Sequence, residues 1–160
     1  MLLKTITGLL LILANVTAAP AQELSQYLMG VNGKKTLFVK ADETTLPPAD
    51  KAASERARLL SRTATHAGEV YYRKGVKIPA NRYISTGRIL VRFAQESPVD
   101  PKAFAEANGL VFVRSFGQAG SSVVFVNKSD SDDLTRANAL LQDAGVSAAT
   151  PDWVLPVKLY

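Results

Sequence analysis

The chain has 160 residues, a formal net charge of +5 at pH 7 and no cysteine. The lack of cysteine excludes disulfides, thiolate metal sites and a cysteine nucleophile. The basic residues are scattered. Their densest group, Arg56, Arg58 and Arg62, falls on a predicted helix whose charged face is expected to be solvated. Without a clustered basic stripe or an aromatic motif, the composition argues against nucleic-acid binding.

The first residues have the pattern of a secretory signal peptide. Lys4 gives a positive start, residues 6–16 are apolar, and residues 19–21 supply the small-x-small sequence that signal peptidase requires. We therefore expect cleavage after Ala21 and a chain that is periplasmic or secreted, with no membrane association afterwards. A retained membrane anchor is the alternative, but the apolar run is shorter than the about 20 residues that span a bilayer.

Residues 22–86 are predicted to form an N-terminal extension with one helix and one short hairpin. The helix covers 48–65, where alanine and leucine recur at three- and four-residue steps. Its apolar face is mostly alanine, so we expect it at the periphery of the molecule. The hairpin covers 69–79, turns at residues 74–75 and stops at a proline. Turn-forming residues at 81–87 then predict a domain boundary.

Residues 87–153 predict a small α+β domain, with elements in the order strand, helix, strand, strand, helix, strand. Alternating apolar residues indicate the strands. The helices begin at residues 100–101 and 130–133, where acidic residues favour a helix N-terminus, and they end at Gly109 and Gly145. This βαββαβ order predicts a ferredoxin-like fold, with a four-stranded antiparallel sheet and two helices on one face.

Residues 154–160 are predicted to leave this domain as an extended tail. Pro151 and Pro156 disfavour a helix, because each removes a backbone donor and restricts the residue before it. Apolar residues alternate along the segment, which carries an aromatic residue at Tyr160. An extended peptide of this kind docks most naturally by adding a strand to the edge of another protein. A loose terminus or an added edge strand in its own fold are the alternatives.

Four motifs in the chain have an order and spacing typical of a known family. They are residues 71–79, Ile89-Leu90-Val91-Arg92-Phe93, Gly109-Leu110-Val111, and the closing run 146–153, which is similar to a Val-x-x-Ala-Glu-Pro-Asp-aromatic signature. Together they resemble the propeptides of subtilisin-type serine proteases, in the longer form similar to the fervidolysin N-terminal prodomain. Thr150 stands where that family usually has Glu, and no protease domain follows Tyr160. We therefore expect a free-standing protein that acts in trans.

The resemblance implies how such a protein would act. Propeptides of this family place their sheet against the protease and lay their C-terminal segment into the substrate cleft as a product-like strand. This binding inhibits the protease and assists its folding. The expected partner is therefore a subtilisin-type serine protease, bound by a chain that is monomeric when free.

The resemblance also implies which residues make the contacts. Tyr160 is expected to fill the primary specificity pocket and Val157 the fourth subsite, with Lys158 and Leu159 between them. The residues expected to contact the protease surface or to position the tail are Thr150, Pro151, Asp152 and Trp153. Trp153 is equally well explained as a core or rim aromatic residue at the end of a strand.

We expect no enzymatic activity. His66, the only histidine, lies near no recognisable nucleophile motif, and Ser61 has no glycine elbow. The acidic residues at 130–133 lack the loop glycine and the distal Glu of a calcium site, so helix capping explains them better. We predict neither a cofactor nor a metal. The competing function is a non-catalytic, ferredoxin-like interaction module of the cell envelope with an incidental tail.

Overall fold

The computed structural model describes residues 25–30, 32–75, 82–96 and 99–155. In this part of the chain, seven strands form one antiparallel sheet against which three α-helices pack. The strands are β1 (Ser25–Met29), β2 (Lys35–Lys40), β3 (Val70–Arg73), β4 (Arg82–Phe93), β5 (Leu110–Phe116), β6 (Ser122–Asn127) and β7 (Val146–Val154). The helices are α1 (Pro48–Leu60), α2 (Pro101–Ala107) and α3 (Asp133–Leu140).

Strand β4 explains why the predicted fold is wrong. The sequence predicted a four-stranded ferredoxin-like sheet with two helices, whereas the described residues form a sheet of seven strands with three helices packed on it. β4 has 12 residues, about twice the usual strand length. Residues 82–84 pair with β3, residues 88–92 pair with β6, and β7 runs along both halves. Strands β1 to β3 therefore belong to the same sheet, and the predicted boundary between residues 86 and 87 falls inside β4.

The turn-forming residues that predicted a linker form an irregularity within β4 instead. The register between β4 and β7 shifts between Ser85 and Ile89. Gly87 lies in this stretch with φ = 70°, a backbone conformation that glycine adopts without a steric penalty. A Cβ atom at Gly87 would lie 2.3 Å from the Cβ of Ala64. The bulge therefore bends β4 and admits the loop after α1 without ending the strand.

Helix α1 is shorter than predicted. It begins at Pro48, as the sequence predicts, but ends at Leu60, a little over one turn early. The chain then turns back onto β4, where the Gly68 amide donates to the Ser85 oxygen at 2.7 Å. The Ser54 hydroxyl of α1 donates to the Gly68 oxygen at 2.6 Å. Small residues on α1 thus permit a close approach between the helix and this loop.

Each face of the sheet has its own core. On one face, α2 and α3 cover a core that includes Ile89, Val91, Phe93, Phe104, Phe125 and Leu140. On the same face, a second cluster joins Phe38, Tyr71 and Leu134 to Leu28, Tyr83 and Trp153. On the opposite face, Ala57 of α1 packs with Leu46, Val70 and Ile84. The first part of the chain therefore contributes to both sides of the sheet.

Several predictions fall outside the described residues. These are the signal peptide at 1–21, the second strand of the hairpin and the last five residues of the tail. The first strand of the predicted hairpin is β3, which pairs with β2 on one side and β4 on the other. Among the described residues, no helix is long and apolar enough to span a membrane.

Candidate protein-docking surface

The face of the sheet opposite α2 and α3 exposes apolar side chains at its β5 side. Ile89 and Val91 of β4 belong to the core beneath α2 and α3. Since side chains alternate along a strand, Arg88, Leu90 and Arg92 point to the other face. Strand pairing adds the remaining members of this surface, which we call the open face: Val111, Arg114 and Phe116 of β5, the buried Ser122, Val124 and Val126 of β6, and the half-buried Ala148 and Thr150 of β7.

The open face combines apolar and basic side chains. Val111 and Phe116 are 47% and 42% exposed, and the Arg114 guanidinium lies 5.8 Å from the centre of the Phe116 ring. Arg92 is exposed, while Arg88 is half-buried and donates to the Leu60 oxygen at 3.1 Å. Exposed aromatic and arginine side chains are enriched in protein interfaces. This composition suits a protein partner that has acidic and apolar groups.

The residues predicted to position the tail all lie in β7 and are integrated into the sheet. Thr150 pairs with Leu90 and is half-buried, and Pro151 pairs with Ile89 and is buried. Asp152 accepts hydrogen bonds from the Thr86 hydroxyl, at 3.0 Å on its backbone oxygen and at 3.1 Å on its side chain. The Asp152 carboxylate is therefore directed at β4.

Trp153 packs against aromatic residues of the protein itself. Its ring lies 5.9 Å from Phe38, 5.7 Å from Tyr71 and 5.6 Å from Tyr83, measured between ring centroids. Phe38 and Tyr71 belong to the predicted N-terminal extension, in strands β2 and β3. Trp153 is therefore a half-buried member of an internal aromatic cluster.

The chain leaves the sheet directly after this cluster. Val154 pairs with Ile84 at the end of β7 and packs against the core beneath α1. Leu155 follows and is 56% exposed. The residues predicted to enter a protease cleft, Val157, Lys158, Leu159 and Tyr160, lie outside the described residues.

His66 joins the loop after α1 to the loop before α3. Its Nδ1 lies 3.0 Å from Glu69 Oε1 and its Nε2 lies 3.2 Å from the Ser129 oxygen. Partial burial disfavours the imidazolium, but the hydrogen bond and charge of Glu69, with the Ser129 oxygen, outweigh that effect and raise the pKa of His66. Both observed partners of His66 are acceptors, which suits a bridging cation rather than the base of a nucleophile.

Glu69 is the centre of this polar group. It accepts hydrogen bonds from Lys40 Nζ and from the Tyr71 hydroxyl, each at 2.6 Å, in addition to its contact with His66. Burial alone would raise the pKa of Glu69, yet these donors together hold it below its usual value. The sequence gives no local signal for this cluster, because Lys40 lies 29 residues before Glu69 in the chain.

A second polar group lies at the start of α3. Asp133 is fully buried and accepts hydrogen bonds from the Ser85 hydroxyl and, at 2.8 Å, from Asn127 Nδ2. Burial raises the pKa of Asp133, although the bonds from Ser85 and Asn127 favour its charged form. Asp132 caps α3 by accepting from the Thr135 amide at 3.0 Å. The acidic run before α3 thus caps the helix and ties it to β4 and β6.

The edge of the sheet at β1 is occupied by a side chain of α3. The Met29 amide donates to Asn138 Oδ1 at 2.9 Å, and Asn138 Nδ2 donates to the Tyr27 oxygen at 2.5 Å. The Asn138 amide group therefore takes the place of a peptide group in a neighbouring strand. A protected edge is a poor site for strand addition, so β1 is less suited to bind a partner than the open face.

No protein-family model, curated protein or solved structure matches this chain. The likeness to subtilisin-type propeptides thus rests on the sequence motifs. The structure adds the open face, with its basic and apolar side chains, and the strand β7, which is packed as far as Val154.

Proposed function

We propose that this chain is an exported, propeptide-like inhibitor and folding chaperone of a subtilisin-type serine protease. It acts in trans, and its C-terminal tail enters the substrate cleft as a product-like strand. The observation that carries the proposal is the end of β7, where Trp153 and Val154 are packed and Leu155 is exposed. In the proposed complex, the residues after Leu155 extend from this fixed point into the cleft.

The tail is long enough to occupy a cleft beside the point where β7 ends. Tyr160 lies six residues beyond Val154, and six extended residues span at most about 20 Å. In the proposed complex Tyr160 occupies the primary specificity pocket and Val157 the fourth subsite, while Lys158 points to solvent. Main-chain pairing supplies affinity in this mode of binding, and alternate side chains supply specificity.

The open face supplies the second contact of the proposed complex. A stable interface buries about 800 Å² on each partner, which is more than a short peptide provides. Phe116 and Val111 offer apolar area beside the arginines of the same surface. Because Thr150 replaces the usual Glu of the family, we propose that the arginines carry the electrostatic part of the contact and meet acidic side chains of the protease.

Chaperone activity follows from the same contacts. A protein that binds the native protease but not its unfolded chain shifts the folding equilibrium toward the native state. The contacts that inhibit the mature protease therefore also stabilise it during folding.

Single substitutions in the tail test the proposal. We expect Tyr160→Ala to weaken inhibition of a purified subtilisin-type protease by roughly 30-fold or more, as for other deeply buried aromatic anchors. Lys158→Ala is the matched control, since a side chain that points to solvent contributes little. Equal inhibition by the native chain and both variants would support a binding module with an incidental tail instead.

A further inference from the structure

Residues from the first half of the chain hold the end of β7 from both faces. Successive side chains of a strand point to opposite faces, and Trp153 and Val154 accordingly enter two different clusters. Trp153 packs with Phe38 and Tyr71, whereas Val154 packs on the core that α1 covers. The last described residue, Leu155, is exposed. The packing of β7 thus ends at Val154, one residue before the last described residue.

Phe38 contacts two other rings of the cluster around Trp153. It is only 3% exposed and lies in β2, a strand that has no backbone pairing with β7. Its ring stacks on Trp153 at 5.9 Å and meets Tyr83 edge-on at 5.2 Å. Offset-stacked and edge-to-face contacts of this kind are favourable and directional. Phe38 therefore restricts the orientation of Trp153 in a way that strand pairing alone does not.

We propose that Phe38, together with Tyr71 and Tyr83, is a positioning residue for the C-terminal tail. By holding Trp153, it fixes the direction in which the chain continues from Leu155 toward a protease. Ordering a flexible segment on binding opposes affinity, and a segment that is held beforehand loses less freedom. The inference rests on the proposed function, and it gives the N-terminal extension a role in inhibition.

A matched pair of variants separates positioning from stability. Phe38→Leu removes the ring that contacts Trp153 and retains an apolar side chain. Phe104→Leu is the control, because Phe104 is 8% exposed and contacts two rings, Phe93 at 4.9 Å and Phe125 at 5.6 Å. Phe104 lies in α2, in the core that does not contain Trp153. Both variants should lower the melting temperature by similar amounts.

The first readout uses the free chain and needs no protease. Amide hydrogen exchange over residues 153–155 should become about tenfold faster in Phe38→Leu and change less than about twofold in Phe104→Leu. Trp153 is the only tryptophan, so its fluorescence emission and anisotropy report the same site. We expect a shift in emission and a lower anisotropy for Phe38→Leu alone.

The second readout is inhibition. The inhibition constant should rise roughly tenfold in Phe38→Leu, a loss that matches one or two aromatic contacts, and stay within about twofold in Phe104→Leu. Equal effects of both variants, or no effect of Phe38→Leu on exchange and inhibition, would contradict the inference. If the native chain inhibits no protease, the proposed function fails, while exchange and fluorescence still decide whether Phe38 holds the end of the strand.

Discussion

His66 and Glu69 are joined by a contact of 3.0 Å between Nδ1 and Oε1, and the second ring nitrogen of His66 faces the Ser129 oxygen. Only the imidazolium form can donate to both acceptors at once. Loss of its proton therefore breaks one of the two links that His66 makes between the loop after α1 and the loop before α3.

This geometry predicts that stability falls as the pH rises above the ordinary pKa of histidine. The groups that face His66 are Glu69, the Ser129 oxygen and, at longer range, Asp133. The pKa of His66 is raised in the folded state, so its contribution is complete below the unfolded value of about 6.5 and is lost as the pH rises through the folded pKa. We expect the urea midpoint to decrease as the pH rises above about 6.5. His66→Gln should remove this dependence, and an unchanged profile in that variant would contradict the assignment.

The contribution of Glu69 to stability is predicted to be lost at low pH, the opposite of the contribution of His66. Its pKa is lowered in the folded state by its donors, including Lys40 and Tyr71. Its contribution is therefore present above the unfolded value and is lost as the pH falls through the folded pKa. Glu69→Gln should make the midpoint less sensitive to acid below about pH 5. The same acid sensitivity in the native chain and the variant would show that other carboxylates control it.

The Ser85 hydroxyl is predicted to matter more for stability than its size suggests. It donates to the buried Asp133 and accepts from the Gly87 amide at 2.9 Å. Ser85→Ala leaves both groups without this partner, so we expect a loss of about 2–4 kcal/mol in the free energy of unfolding, measured with urea. Ser115→Ala is the control, because Ser115 is exposed on β5. Similar small losses for both variants would contradict the prediction.

Gly87 is predicted to be required for the contact between β4 and the loop after α1. Gly87→Ala combines strain at φ = 70° with a clash against Ala64. Gly109→Ala is the matched control, since Gly109 has φ = 62° and open space around it. We expect the control to cost about 1–2 kcal/mol and Gly87→Ala clearly more. Equal losses in thermal denaturation would mean that the loop moves aside freely.

The arginines of the open face are predicted to make inhibition sensitive to salt. The double variant Arg92→Glu/Arg114→Glu should weaken inhibition roughly tenfold at low ionic strength, because it reverses charge opposite acidic groups of the partner. The difference should shrink in about 0.5 M NaCl, where screening shortens the range of the interaction. Arg56→Glu, on an exposed position of α1, is the control. Equal inhibition by the native chain and the double variant would exclude the open face from the contact.

Local signals in the sequence were sufficient for some features of the fold. The start of α2 was predicted from Asp100 and Pro101, and Asp100 indeed accepts from the Lys102 amide at 3.0 Å. A capping interaction of this kind depends on neighbours in the chain, so its residues identify it directly.

Features that depend on distant residues were not predictable in this way. Ser85, Thr86 and Gly87 favour turns locally, yet pairing with β7 keeps them within β4. The sequence of β1 has no clear hydrophobic periodicity, and the Asn138 side chain of α3 forms hydrogen bonds with the β1 backbone. Tertiary packing overrode local preference in both cases, and it joined the predicted extension to the main sheet.

The candidate site also combines a feature that has a local sequence signal with a feature that depends on distant residues. The motif that ends in Trp153 predicted a position next to the tail, and the residue lies at the end of β7. Its packing on Phe38, more than one hundred residues earlier in the sequence, had no local signal. Long-range contacts of this type determine how the end of β7 packs.

We propose that the tail inhibits a subtilisin-type protease by occupying its substrate cleft. The most direct test is steady-state inhibition by the chain with and without residues 157–160, with circular dichroism and thermal denaturation to compare the folds. We predict competitive inhibition by the full chain and a loss of more than about 100-fold without the tail, since two anchor side chains are removed. The fold should be retained, because β7 is held up to Val154. Equal inhibition by both chains, or rapid cleavage of the full chain without inhibition, would contradict inhibition through the tail.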